Sequence, residues 1–386
     1  MRIGLVLECF NPLRGGLEQW SYQFAKHMAD RGHQLHLIAE SFGNFEDHPA
    51  WVRHPLPKSR TRLARAEAAA VLLQRLPLDI VHDMGIGWYG DLLHLHGGAW
   101  QALFERNLEL TPTPIRQVKR AISPLLPRYR DFHRLLEKQF RCHGPLKIAL
   151  SKLVAEHLQQ YHHVQEDQLR LVYNGVDCER FHPKNKDAYR EAIREQYHIA
   201  DHETLLLIVA HNFRLKGVPT LLAAMRNLVN AGHSVRLLVA GGKRLDSWKR
   251  LVHRQGIGHA IQFLGGISDP MPLYAAADAY VHPTWYDTCS LVVLEALATG
   301  LPVITTRCNG VADLISPGIE GYLLTDPGDD VLLAQHIEPL LQPIRREVMG
   351  VEARKLALAH SFEKQAEQFL TIYEEIKQTH RPRLAA

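Results

Sequence analysis

Several large protein classes are excluded by what this chain lacks. No C-x-x-C pair occurs among its five cysteines, Cys9, Cys142, Cys178, Cys289 and Cys308. That leaves no zinc ribbon or dithiol redox couple, and a sparse, odd set suits a reducing compartment. There is no H-E-x-x-H despite 24 histidines, so most of these are read as surface or packing residues. No D-x-D is present either, which removes a common carboxylate seat for a metal ion. No apolar run reaches the length of a membrane-spanning helix. The opening MRIGLVLECFNP runs from an apolar stretch into an Asn-Pro turn without the layout of a leader peptide, so cytoplasmic residence is expected. Charge of one sign is also missing: 45 Lys and Arg oppose 41 Asp and Glu, a formal +4. So mild a balance calls for no nucleic acid partner.

What remains is a globular composition, 46% hydrophobic and 22% charged over 386 residues. That length favours two domains, each able to bury a core. Arg2 to Phe10 reads as a buried strand ended by Asn11 and Pro12. Gly15 and Gly16 then precede a helix from about Glu18 to Arg31, closed by Gly32. A glycine pair between a first strand and a helix lets backbone approach a ligand, and a helix start favours an anion. A tight turn that needs glycine is the plainer reading of the same residues. Strands follow at Gln34–Ala39, Leu78–His82, Leu146–Leu150 and Leu169–Tyr173. Residues 51–62 read as a loop, Ala64–Arg75 as a helix, and Ser151 as the N-cap of a helix reaching Tyr161. The second half restarts the rhythm with strand Leu205–Ala210, helix Pro219–Ala231, strand Val235–Ala240, helix Leu245–Arg254 and strand Ile261–Leu264. Such alternation predicts an α/β fold, parallel sheets with helices on both faces.

The segment GIGWYG, Gly85 to Gly90, matches the dinucleotide fingerprint G-x-G-x-x-G. That loop must follow a first strand and open a helix, whereas this one leads into Asp91 and the apolar strand LLHLHGG. The match is read as a coincidence, with an NAD-dependent oxidoreductase as the function it would otherwise imply. His94 and His96 lie two residues apart in the expected strand and share a face. His96 stands at its end, where open α/β sheets present side chains to a ligand; His82 is a weaker candidate. Between Ile115 and Arg141, basic residues including Arg116, Lys119, Arg120, Arg128, Arg130 and Arg134 mix with Ile122, Leu125, Leu126 and Phe132. Segments of this kind dock on anionic membrane surfaces, or form solvated helix faces.

In the second half, HNFRLKGV places Arg214 and Lys216 after a strand, where two cations can hold a diphosphate. The stretch from Trp285 to Thr306, WYDTCSLVVLEALATGLPVITT, organises the rest. Asp287 leads a polar turn, Leu291–Ala298 reads as a helix ended by Gly300, and Pro302 opens a strand. The backbone N–H groups of Ser290, Leu291 and Val292 at that helix start suit phosphate oxygens. Asp287 and Glu295, eight residues apart, suit the hydroxyl donors of a sugar and a ribose.

These residues resemble the E-x7-E signature of the retaining GT-B glycosyltransferases of family 4, with Asp287 in place of the first Glu and Ser290 in place of the Gly three positions on. PLRGGLEQ and RGHQLHLIAES are similar to the start of that family's lipopolysaccharide core glucosyltransferases, and NGVDCERFHP to its interdomain segment N-G-V-D-x-x-x-F-x-P. The resemblance implies a GT-B fold, two Rossmann-like domains whose parallel sheets face each other across a cleft. Domains of 1–174 and 175–362 follow, with a C-terminal helix at about 363–379 crossing back onto the first. It implies a sugar near His96 and Asp287, a diphosphate on Arg214 and Lys216, a ribose on Glu295, a base beside Ile267, and Gly15 and Gly16 beside diphosphate and acceptor. The implied reaction is transfer of a hexose, from UDP-glucose or a similar donor, to a saccharide or lipid-linked acceptor such as lipopolysaccharide core. It proceeds with retention and without a metal or other cofactor, in an enzyme that is cytoplasmic or peripheral on the inner face of the plasma membrane. A nucleotide-sugar epimerase and a non-catalytic sugar- or lipid-binding module are the other readings compatible with the same residues.

Overall fold

The computed structural model describes residues 1–123, 126–141 and 144–379. Leu125, Cys142 and the side chain of Arg128, all named above, lie outside the described residues, as does the tail 380–386, expected from the sequence to fray. The chain divides into two compact units, Met1–Val172 with the segment from Gln365 onward, and Tyr173–Lys364.

The first unit contains β1 (Arg2–Val6), β2 (Cys9–Phe10), β3 (Gln34–Ala39), β4 (Ser41–Phe42), β5 (Trp51–Pro55), β6 (Ile80–Asp83), β7 (Leu92–His94), β8 (Leu146–Ala149) and β9 (Leu169–Leu171). Seven of these form a parallel sheet in the order β5-β3-β1-β6-β7-β8-β9, while the short β2 and β4 pair with each other. The inner strands are buried on both faces and mostly apolar, with His36, His82, Asp83, His94 and Lys147 as buried polar positions within them. The run Arg2–Phe10 divides after Val6, because Cys9 and Phe10 turn off to pair with Ser41 and Phe42. Residues 51–62 are not wholly a loop as expected. They begin with β5, whose alternating exposure and terminal Pro55 suit an edge strand paired on one side only. The basic segment 115–141 is two helices, Thr113–Ile122 and Pro127–Gln139, the second opened by a proline that needs no N–H there.

The tail helix Phe362–Thr379 supplies part of this unit's core. Phe369 and Tyr373 are fully buried, with the Phe369 ring 5.5 Å from Phe24 and 5.0 Å from His82. Gln365 accepts the indole N–H of Trp20 at 2.8 Å. The Tyr373 hydroxyl meets His82 Nδ1 at 2.6 Å, and His82 Nε2 meets His94 Nδ1 at 3.0 Å. Burial holds His82 down at about 3, with His96 adding to the effect. These histidines are neutral members of a polar seam through an aromatic core.

The second unit contains β10 (Thr204–Val209), β11 (Val235–Ala240), β12 (Ile261–Gly265), β13 (Ala279–His282), β14 (Val303–Thr306) and β15 (Gly321–Leu324). All are parallel, in the order β12-β11-β10-β13-β14-β15. Leu206, Ile208, Leu237, Val239 and Val281 pack beneath Leu221 and Met225 of the helix Val218–Asn230. Successive strands leave β10 in one direction as far as β12, and the chain then crosses back to β13 on the other side of β10. Ligands of open α/β sheets bind at the carboxyl ends of the strands where the order reverses in this way. In this unit that place lies between the loops after β10 and β13.

Candidate active site

Residues 211–217 leave the end of β10 and close as a tight turn. Lys216 N–H bonds to Asn212 O at 2.9 Å, and Gly217 N–H to Arg214 O at 3.2 Å. Gly217 starts the next helix with φ of +72°, and a Cβ there would sit 1.9 Å from the Pro283 carbonyl oxygen. Only glycine meets both demands. The turn is stitched to the loop after β13: Trp285 N–H donates to Leu215 O at 2.8 Å, and Thr284 Oγ1 to the same oxygen at 3.1 Å. The two sides of the reversal point are thereby fixed to each other.

This stitching brings Lys216 and Asp287 together. Lys216 Nζ lies 2.5 Å from Asp287 Oδ2 and 3.3 Å from Tyr286 O, and the paired side chains retain 22% and 17% exposure. His282, fully buried at the end of β13, meets the same carboxylate oxygen through Nε2 at 3.4 Å. Its Nδ1 faces the Tyr280 hydroxyl at 3.5 Å, and that hydroxyl accepts Val209 N–H at 3.2 Å. Burial by itself would raise the pKa of Asp287, but Lys216 and His282 outweigh it and hold the carboxyl well below the usual range. Burial likewise lowers His282, so a neutral ring donates its Nε2–H to a carboxylate anion. One Asp287 oxygen is committed to Lys216 and His282. The other has no hydrogen-bond partner among the described residues and can accept from a hydroxyl.

Asp287 also pairs by backbone with the loop after β14, its N–H bonding to Cys308 O and its C=O accepting from Gly310 N–H, each at 3.0 Å. Asn309 in that loop holds the next turn in place. Its Oδ1 accepts Ser290 N–H at 3.3 Å and Val311 N–H at 3.2 Å, and its Nδ2 donates to Thr305 Oγ1 at 3.1 Å. The expectation that Ser290 offers its N–H to phosphate is therefore corrected. That donor is already engaged, while the amides of Leu291 and Val292 precede the first helical bond, Leu294 N–H to Ser290 O. The helix spans Leu291–Ala298, as expected, and Gly300 closes it at φ +76°. Glu295 lies one turn in and accepts from the Tyr274 hydroxyl at 2.9 Å. Burial pushes Glu295 up to about 7, against the hydrogen bond from Tyr274 and the charge of Arg180.

The other sequence-predicted residues are more dispersed. Arg214 is exposed and has no ion-pair partner among the described residues, so only Lys216 of the two cations joins the acid. Ile267 is half-buried in the loop after β12. Gly15 and Gly16, in the first unit, start the helix Gly16–Asp30 earlier than expected, with Gly15 extended at its N-cap. His96 is not in a strand: β7 ends at His94, and His96 occupies the turn closed by Gly98 N–H to Leu95 O at 2.8 Å. Its ring lies 4.2 Å from that of His94 and 5.0 Å from that of Trp20, and burial lowers it to about 3.

GIGWYG enters β7 without opening a helix. Asp83, buried at the end of β6, accepts Ile86 N–H at 2.6 Å and Gly87 N–H at 2.8 Å. A carboxylate thus holds amides that a dinucleotide loop would offer to pyrophosphate. Burial raises Asp83 to about 6, against the amides of Gly87, Ile86 and Gly85. Among the described residues no group of three or more His, Cys, Asp or Glu is arranged to hold a metal ion. Sequence reading missed His282, Asn309 and Tyr274. The local signal for Asn309 is Asn309-Gly310, a turn dipeptide separated from the end of β14 by Arg307 and Cys308.

Comparison with known proteins finds the chain similar to sugar-transferring enzymes. Residues 14–180 match the model described as Glycosyltransferase Family 4, and residues 189–356 the model described as Glycosyl transferases group 1. The chain is 27% identical over 318 residues to the lipopolysaccharide glucosyltransferase WaaG of Escherichia coli K12, covering 81% of this chain and 82% of that protein. The crystal structure of WaaG superposes with a TM-score of 0.80 at 24% identity, over 96% of this chain and 99% of the other. HepE of Anabaena, crystallised with UDP and glucose, superposes with a TM-score of 0.71 at 18% identity, over 96% and 99%. These likenesses carry the fold, which is GT-B.

Proposed function

Because the chain belongs to glycosyltransferase family 4, we propose that it moves a hexose from a nucleoside diphosphate sugar to a saccharide or glycolipid acceptor with retention of configuration. The carrying observation is the Lys216–Asp287 pair at the sheet-order reversal, one turn before the helix that bears Glu295. Lys216 and the amides of Leu291 and Val292 face the diphosphate, Asp287 takes a hydroxyl of the donor sugar, and Glu295 accepts from the ribose. The bond from the sugar C1 to the β-phosphate oxygen breaks as charge accumulates on that oxygen, next to fixed donors that need no reorganisation. The acceptor oxygen forms its bond to C1 on the same face, and its proton passes to the departing phosphate oxygen. Peptide dipoles and a lysine do here what a bound metal ion does elsewhere. His96, neutral through burial, is suited to hydrogen-bond a sugar hydroxyl.

A thermal-shift panel of UDP-, GDP- and ADP-sugars tests the donor class, with a UDP-sugar expected to stabilise most. Product anomeric configuration read by proton NMR tests retention, and activity persisting in EDTA tests metal independence. Inversion, or stabilisation by no sugar nucleotide, would overturn the proposal.

The same reading places the enzyme at the cytoplasmic face of a membrane. Among the described residues no helix is long and apolar enough to cross one. The helix Thr113–Ile122 buries none of its residues, and Ile115, Val118 and Ile122 are 50%, 56% and 47% exposed at helical spacing, beside Arg116, Lys119 and Arg120. An apolar stripe flanked by cations fits an anionic lipid surface. Replacing the three apolar residues by Ser should abolish sedimentation with anionic vesicles, and unchanged sedimentation would refute docking through this helix.

A further inference from the structure

The first unit holds a cavity of about 340 Å³ whose lining combines rings and guanidinium groups. The segment after β5 contributes Arg60 and Arg62, the first residue of the helix Trp100–Glu109 contributes Trp100, and the helix Pro127–Gln139 contributes Tyr129, Asp131 and Phe132. β5 and β7 are parallel strands of one sheet, and the first two segments follow their carboxyl ends, the side of an open α/β sheet where ligands bind. The wall is aromatic: Trp100 lies 5.5 Å from Tyr129 and 5.3 Å from Phe132, ring to ring. Arg62 lies 4.6 Å over the Phe132 ring. Neither Arg60 nor Arg62 has a carboxylate partner among the described residues, whereas Arg65, one turn further on, is held by Glu8 and Glu40 at 3.0 Å each. Thr61 caps the helix Arg62–Leu73, accepting Ala64 N–H at 3.2 Å, so that helix start adds positive potential to the two arginines. Among the described lining residues Asp131 is the one that opposes them.

We propose that this cavity is an acceptor subsite for a sugar ring bearing a phosphate or carboxylate. The inference rests on the glycosyltransferase reading above. The apolar face of the ring packs on Trp100 and Tyr129, and the anion takes the guanidinium forks of Arg60 and Arg62. A neutral sugar would leave both cations unmatched, and a bare anion would leave the rings uncovered.

The six tryptophan indole N–H resonances provide the readout, with Trp100 assigned through Trp100→Phe. Glucose 6-phosphate, glucuronate, glucose, inorganic phosphate and UDP are titrated in turn. The Trp100 signal should respond to one or both charged sugars with an affinity at least about tenfold above that for glucose or phosphate. Response to the sugar phosphate alone identifies a phosphorylated acceptor, and response to glucuronate alone an acidic sugar. The exposed substitutions Arg60→Gln and Arg62→Gln together should erase the preference while preserving spectral dispersion and UDP affinity. A silent Trp100, phosphate binding as tightly as sugar phosphate, or UDP moving Trp100 most of all would each overturn the subsite. UDP binding that persists while Trp100 stays silent sinks only this inference. Failure of UDP to bind anywhere on the protein sinks the donor reading instead.

Discussion

Replacing Lys216 by Ala separates the structural and chemical roles of one side chain. Removing one partner of a fully buried ion pair costs about 3–5 kcal/mol. Lys216 and Asp287 keep 22% and 17% exposure, and water reaching the abandoned carboxylate reduces that cost to about 2 kcal/mol. For a unit of this size the expected fall in Tm is about 4–8 °C. The pKa of Asp287 is held below its ordinary value of 3.8. The pair's stabilisation is therefore full above that pH and is lost as pH falls further, so the Tm difference should vanish in acid. Turnover should drop about a hundredfold, about 2.7 kcal/mol of transition-state stabilisation, with KM for the donor changed by less than about threefold. The double variant Lys216→Ala, Asp287→Ala leaves no stranded carboxylate. It should regain about half the lost stability and none of the lost turnover. Calorimetry and initial rates on the two single variants and the double complete the cycle. Turnover within about threefold of wild type in Lys216→Ala, despite the Tm loss, would refute the idea that this cation meets developing charge.

Glu295 is pushed up to about 7, and ribose hydroxyls donate, so affinity for a sugar nucleotide should rise with pH through that value. In Glu295→Gln calorimetry should show weaker binding without that slope. The same raised carboxyl makes the unliganded protein lose stability as pH climbs from 4.5 toward 7, since the unfolded chain releases its proton first. Asn309→Ala strands the N–H groups of Ser290 and Val311 and should cost about 1–3 kcal/mol in chemical denaturation, together with weaker donor affinity. Gly217→Ala forces a Cβ against Pro283 and should impair turnover as Lys216 is displaced; full activity at unchanged Tm would contradict the close approach.

The elements most legible in the sequence are those where an apolar run has clear punctuation. Helix Leu291–Ala298 ends at Gly300, and β3 and β11 are mainly apolar runs, broken only by Gln34 and His36 in one and Arg236 in the other, between polar turns; the bounds expected for each match those observed. β5 is not among them, because WVRHP is polar on one side and ends in proline, the composition of a loop as much as of an edge strand. Spacing and charge single out Asp287, Glu295 and Lys216 as candidates, and the fold sets Lys216 against Asp287. The groups that orient them are not legible in this way. His282 reads as one histidine among many, Tyr274 as core, and Asn309 acts on a residue nineteen positions earlier through a strand pairing that only the fold creates. The engagement of the Ser290 N–H is hidden from the sequence for the same reason: its partner, Asn309, does not lie in the local sequence.

The placement of Phe369 and Tyr373 beside Phe24 and His82 bears on biogenesis. Residues 173–364 are contiguous and can close as soon as they leave the ribosome. The lobe that is translated first must wait, with the ring of Trp20 uncovered, until the final helix emerges to seal it. Dissection at residue 172 would therefore yield a fragment with a missing wall, and nascent-chain proteolysis should find the later-made lobe resistant before the earlier one.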